Sequence, residues 1–181
     1  MYDPQESVDI SKSNDYRTIE QTMEKFSNGT RRLAAQLTTS ASLDSLWNVL
    51  TDYDRLNLYI PNLLSSKKIY QKNNNVHLKQ IGAQDFLGMK FSAEVTIDLL
   101  EDKALGLLKF NLIKGDFRKF EGSWKIQNIK NTLKNSLIYD LTVQGCQWMP
   151  IGMIEKRLKK DLSENLIAVE RQAKSSLNYL K

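Results

Sequence analysis

The chain has 181 residues, with 26 Lys and Arg against 21 Asp and Glu, a formal net charge of +5. One domain is expected at this length, with enough buried surface to need no disulfide or metal staple. A hydrophobic share of 41%, 8 Gly, 3 Pro, one Cys and one His exclude collagen-like, low-complexity, disulfide-framework and Cys/His metal-cluster classes. No run approaches 18 apolar residues, so no segment reads as a spanning helix. The polar, acidic start, Met1 to Asp9, does not read as a secretory signal, and the lack of any address points to the cytoplasm.

The charge is unevenly spread. Residues 1–25 carry six acids and three bases, whereas residues 26–181 carry fifteen acids and twenty-three bases. A basic body suits nucleic acid or an anionic membrane surface. With 19 Lys against 7 Arg and no clustered basic stripe, the pattern argues against nucleic acid, which favours Arg forks. It reads as surface solvation, with peripheral contact to an anionic membrane as its functional use.

Residues 1–17 have few apolar groups and no periodicity, which predicts a flexible acidic tail followed by a single domain over 18–181. Asn28-Gly29 is a type I′ hairpin signal between Thr18–Ser27 and Thr30–Thr38. A short helix over Ile19, Met23 and Phe26 competes with it; the alternation of Leu33, Ala35 and Leu37 favours the hairpin. Ser40 or Ser42 then caps a helix whose Leu43, Leu46, Trp47 and Leu50 share one face. A second short helical stretch runs from Asp52 through Tyr59 and stops at Pro61.

From Asn62 to Gln147 the period becomes two. Phe91, Ala93, Val95, Ile97 and Leu99 alternate with polar neighbours, as do Leu137, Tyr139, Leu141 and Val143. Turn signals at Lys72–Asn75, Gly88, Asp102-Lys103, Lys114–Asp116 and Asn131 divide the region into six strands, an antiparallel meander. From Ile151 the period becomes 3.6: Ile151, Ile154, Leu158, Leu162, Leu166, Val169 and Ala173 form one stripe, with Lys156, Arg157, Lys160, Glu164 and Arg171 on the other side. The predicted class is α+β. A sheet of this size curls, and the stripe of the last helix is the one large apolar surface left to fill the curl. The two short helices roof the wedge between them, and an apolar cavity is the expected result.

The segment Leu46–Leu56, continued by Tyr59-Ile60-Pro61-Asn62-Leu63, resembles the signature of the START-like superfamily, in the branch called polyketide cyclase/dehydrase and lipid transport, which includes the coenzyme Q-binding Coq10 type. Phe117–Trp124 and Trp148–Gly152 resemble two further motifs of that branch, and the likeness covers about residues 28–175. The resemblance implies the helix-grip, START/Bet v 1-like fold: a curved antiparallel sheet around a long C-terminal helix, with two short helices after the first main strand. It also implies a cavity for a hydrophobic ligand. The leading expectation is binding or transfer of a lipid, quinone or polyketide-like molecule. The alternatives are a cyclase/dehydrase-type enzyme and, since the superfamily includes a toxin that blocks ribosome subunit association, a ribosome- or protein-binding factor. No cofactor is expected, and the oligomeric state is not legible.

The expected cavity wall comprises Tyr53, Tyr59, Phe91, Phe120, Trp124, Tyr139, Ile154, Leu158 and Asn165. Glu155 and Asn165 lie close to the apolar stripe, where an unpartnered amide or carboxylate costs a few kcal/mol; Asn165 needs a protein partner or a cavity to face, and Glu155 either of these or exposure at the stripe's edge. Phe86, Leu87 and Met89 sit where a hairpin turn should be polar, and Trp148, Met149 and Met153 form an apolar hinge into the helix. These six are expected at the cavity mouth or on a membrane, the plain alternative being that they fold back onto the core. No catalytic set is legible: His77 and Cys146 share strand parity with polar residues and have no nearby activator.

Overall fold

The first two strands of the computed structural model, β1 (Ile19–Lys25) and β2 (Arg31–Thr39), form the expected hairpin, with Lys25 opposite Arg31. The structure describes residues 19–86, 89–146, 149 and 151–175, without the side chains of 84–86, 89 and 153. The predicted tail lies outside these residues.

The turn differs from the expected type I′. Only Gly29 has positive φ, at 81°, and its amide donates to Phe26 O while the Phe26 amide donates to Thr30 O. One left-handed residue makes a type I turn with a bulge, which adds a residue to the loop without changing which side chains face inward. The Asn28 side chain accepts from the Thr30 amide and stays right-handed.

Ser42 caps α1 (Leu43–Thr51) by accepting from the Ser45 amide, and Leu46, Trp47, Val49 and Leu50 are buried on one face. A 3-10 helix (Tyr53–Leu58) follows. The meander comprises β3 (Leu63–Lys72), β4 (Asn75–Phe86), β5 (Met89–Asp102), β6 (Leu107–Gly115), β7 (Phe117–Asn128) and β8 (Asn135–Gly145). Asn62, Asn73 and Asn131 take positive φ at the connections, as asparagine does with least strain among side-chain-bearing residues.

All eight strands form one antiparallel sheet in the order β1-β2-β8-β7-β6-β5-β4-β3. The early hairpin therefore joins the meander through β2 and β8, with Leu33 opposite Leu141 and Leu37 opposite Leu137. Those residues are almost fully buried, and they lie under α2 (Ile151–Ser175).

The helix does not lie symmetrically in the curl. It packs on β2, β8 and α1 through Leu162, Leu166, Val169 and Ala173, all at most 1% exposed. Burying such side chains contributes about 1.5–3 kcal/mol each for the larger ones. Ile151, at 46% exposure, is the exposed end of the predicted stripe, its Cδ1 lying over the hairpin turn, 3.6 Å from where a Cβ on Gly29 would stand. The helix is also tied to the hairpin. Gln21 Nε2 donates to Lys159 O and to Ser163 Oγ, while Lys25 and Arg31 both bond Glu155. Further along, Thr39 Oγ1 donates to the buried Glu170 and accepts from the Ala41 amide, which fixes the β2–α1 corner to the helix.

Candidate functional site: an apolar cavity under the long helix

One flank of α2 is pinned to the hairpin, so its other flank stands away from β4–β7. Between them lies a cavity of about 300 Å³. Its sheet wall is built from inward positions of consecutive strands, among them Leu78, Val95, Ile97, Leu108 and Phe110. The roof is Leu50, Tyr53 and Leu56, continued by Ile60–Leu63.

The wall depends on one close approach. A Cβ at Gly122 would lie 2.1 Å from Asp140 O and 2.9 Å from the Phe110 ring. The missing side chain lets that ring lie across β7, 5.6 Å from Phe120 between centroids. Trp124 stacks on Tyr139 at 3.9 Å with their planes 10° apart. These rings give one side of the cavity a rigid aromatic surface.

Of the residues expected on the wall, Tyr53, Phe91, Phe120, Trp124, Tyr139, Ile154, Leu158 and Asn165 line the cavity. Tyr59 does not. Its hydroxyl donates to Val49 O at 2.6 Å, which satisfies the last turn of α1 and holds the ring in the roof packing. Tyr53 lines the cavity with its ring, while its hydroxyl donates to Glu101 Oε1 at 2.6 Å. Burial and Glu101 push the Tyr53 phenol well above its ordinary pKa; burial does the same to Tyr59 and Tyr139. All three are neutral hydroxyls at physiological pH.

Of the expected mouth residues, Met149 is buried against Val143 and Ile154 and lines the cavity. Leu87 and Trp148, and the side chains of Phe86, Met89 and Met153, lie outside the described residues. Glu155, for which a partner, a cavity or edge exposure was open, has partners: Lys25 Nζ at 2.9 Å and Arg31 Nε at 2.6 Å.

Two residues read as solvent-facing or passed over turn out to line the cavity. Arg157 was placed opposite the stripe, yet its side chain is 19% exposed and its Nη2 lies 3.8 Å from Asp161 Oδ1. Asp161 also accepts from Asn62 Nδ2 at 3.4 Å, joining the helix to the roof loop. Arg157, Asp161 and Asn165 are spaced i, i+4, i+8, one row along the flank facing the gap. That spacing was legible, but which flank would be left uncovered was not.

His77 lies 3.6 Å from Asp98 and contacts the Tyr70 ring on the outer face, away from the cavity. Among the described residues no cluster of His, Cys, Asp and Glu could hold a metal ion, and no helix is long and apolar enough to cross a membrane.

The family model described as polyketide cyclase/dehydrase and lipid transport matches residues 39–170, which span α1, the meander and most of α2. The chain belongs to the polyketide cyclase/dehydrase and lipid transport family. No curated protein sequence matches this family member, but solved structures resemble its fold. A STAR-related lipid transfer protein from Xanthomonas axonopodis superposes with a TM-score of 0.76 at 11% identity, covering 91% of this chain and 98% of the other. The Zhui aromatase/cyclase from Streptomyces sp. R1128 gives 0.68 at 15% identity, covering 82% and 96%. Human StAR-related lipid transfer protein 5 gives 0.69 at 7% identity, covering 87% and 82%. At these identities the likeness is one of architecture: the curved sheet closed on a C-terminal helix.

Proposed function

We propose that the protein binds, and passes between donor and acceptor, a hydrophobic small molecule held in the cavity under α2. The carrying observation is the cavity itself: about 300 Å³, walled by aliphatic and aromatic side chains, in a member of a family that includes lipid transport. Removing about 300 Å² of apolar ligand surface from water gives a gross ~7 kcal/mol at about 25 cal/mol per Å². A preformed site keeps the ordering cost low enough for micromolar binding. Lipid, quinone and polyketide-like molecules fit this chemistry. Phe117–Trp124 and Trp148–Gly152 resemble motifs of the polyketide cyclase/dehydrase and lipid transport branch, and because that branch includes the coenzyme Q-binding Coq10 type a quinone is among them. The setting we propose is the cytoplasm, with peripheral contact to an anionic membrane during loading.

One observation favours a second reading, a cyclase/dehydrase-type activity: the Tyr139 hydroxyl and the Arg157–Asp161 pair all line the cavity. A single experiment separates the two. Purified protein, extracted with organic solvent and analysed by mass spectrometry, should yield a hydrophobic compound that is missing from an Ala93→Phe variant, whose added ring fills the cavity. A recovered compound that stays unchanged on incubation supports carriage; one that loses water supports the enzyme. Repeated recovery of nothing, or equal recovery from the variant, overturns the cavity reading.

A further inference from the structure

The row on the open flank of α2 carries more polarity than the packing of the chain uses. Asn165 Oδ1 and Arg157 Nε are both shut off from water, and neither has a hydrogen-bond partner. Both belong to residues that line the cavity. Shutting away such an atom unpaired is costly, and native structures tolerate it rarely. Elsewhere in this interior the polar side chains of Thr39, Tyr53, Tyr59 and Ser66 each find a partner, whereas Thr96 Oγ1 and Ser136 Oγ are also unpaired but belong to residues that do not line the cavity.

The terminal torsion of an asparagine is soft, so a small rotation presents the Asn165 amide to the cavity. Asp161 stands between the two on the same row, and Tyr139 is close enough to feel its charge. The pairs Arg157–Asp161 and Asn62–Asp161 hold the row together from the helix to the roof loop.

Extending the reading of the cavity as a hydrophobic-ligand site, on which this rests, we infer that the bound molecule carries an uncharged hydroxyl head. It seats against Asn165, and its hydrocarbon part lies along the aromatic wall. The charge balance selects against an ion. One cation and one anion face each other on the row, so a carboxylate or phosphate head would meet Asp161 and an ammonium head would meet Arg157. Either would leave water without a net opposite charge to replace it. The unpaired atoms select a hydroxyl over an ether or a bare hydrocarbon. Asn165 Oδ1 needs a donor, which a hydroxyl supplies and an ether or a hydrocarbon does not. The head is thus an alcohol or a phenol, which narrows the proposed ligand classes to hydroxyl-bearing lipids and polyketides and to the quinol rather than the quinone form.

Calorimetric titration with three probes of equal carbon number tests this: 1-decanol, methyl nonyl ether and decanoate. The alcohol should bind at least about tenfold more tightly than the ether or the carboxylate, as expected where a buried group is left unpaired by the wrong ligand. Asn165→Leu should bring the alcohol down to the ether's affinity while leaving the ether's own affinity unchanged. The same variant should raise the melting temperature of the ligand-free chain by about 2–4 °C, because it removes the unpaired amide. A residue with an ordinary structural role would lower it. Equal binding of alcohol and ether, tighter binding of decanoate, an alcohol preference that survives Asn165→Leu, or a lowered melting temperature would each overturn the hydroxyl head while leaving the cavity reading intact. Failure of all three probes to bind would remove both.

Discussion

Glu155 shows how a single side chain holds two elements in register. It lies near the apolar stripe of α2 but accepts bonds from Lys25 and Arg31 on the hairpin. The Lys25 bond, with help from Arg31, holds its carboxyl below the usual glutamate range against the opposing effect of burial. A depressed folded pKa stabilises the fold above the unfolded pKa, and that contribution is lost as pH falls through the folded value. Stability measured by urea denaturation should therefore fall as pH drops below about 4.3, the ordinary Glu value. Glu155→Gln should be less stable at neutral pH and should flatten that acid limb; an unchanged limb would show that the pair contributes nothing. The same residue marks a limit of sequence reading. Its closeness to the stripe left open a partner, a cavity or exposure at the edge, and the partners lie more than a hundred residues away, brought in by the closed sheet.

At the scale of elements, the meander and the long helix were legible because their periods are long and uninterrupted, and turn residues separated the strands. What periodicity left open was which sheet face is concave, and therefore which rings line the cavity. Gly122 decides part of this. It gives β7 a position with no side chain against Asp140 O, and Phe110 lies over it. Gly122→Ala would force the backbones of β7 and β8 apart and displace that ring. The expected cost is about 1–3 kcal/mol, read as a lower urea midpoint, together with weaker retention of ligand. A variant as stable as the parent would show that the strands have room to spare. Tyr59 illustrates the opposite case: it belongs to the roof motif by sequence, yet the end of α1 claims its hydroxyl.

For the whole molecule, the governing asymmetry is that α2 is fastened chiefly along one flank, while on the other the described tie is the Asn62–Asp161 bond to the roof loop. Gln21, Lys25, Arg31 and Thr39 hold it to β1 and β2, and the sheet beyond β8 curves away. The cavity is the space that this one-sided fastening leaves. The proposed loading from an anionic membrane rests on the body's positive charge and on the apolar pair Phe86-Leu87 in the sequence. In a flotation assay with anionic vesicles the parent protein should float, and Phe86→Asp with Leu87→Asp should reduce flotation severalfold; equal flotation would reject membrane contact through this turn.

The amino-acid sequence alone determined the element order, the antiparallel meander, the buried stripe of α2 and the expectation of an apolar cavity. Those follow from local periodicity, capping and turn chemistry, each readable within a few residues. The tertiary structure decided which flank of the helix stays uncovered. That put Arg157 and Asp161 on the cavity wall and took Tyr59 away from it. The physical reason is that a helix row faces solvent or cavity according to what packs beside it, and the packing partners come from strands far away in the chain.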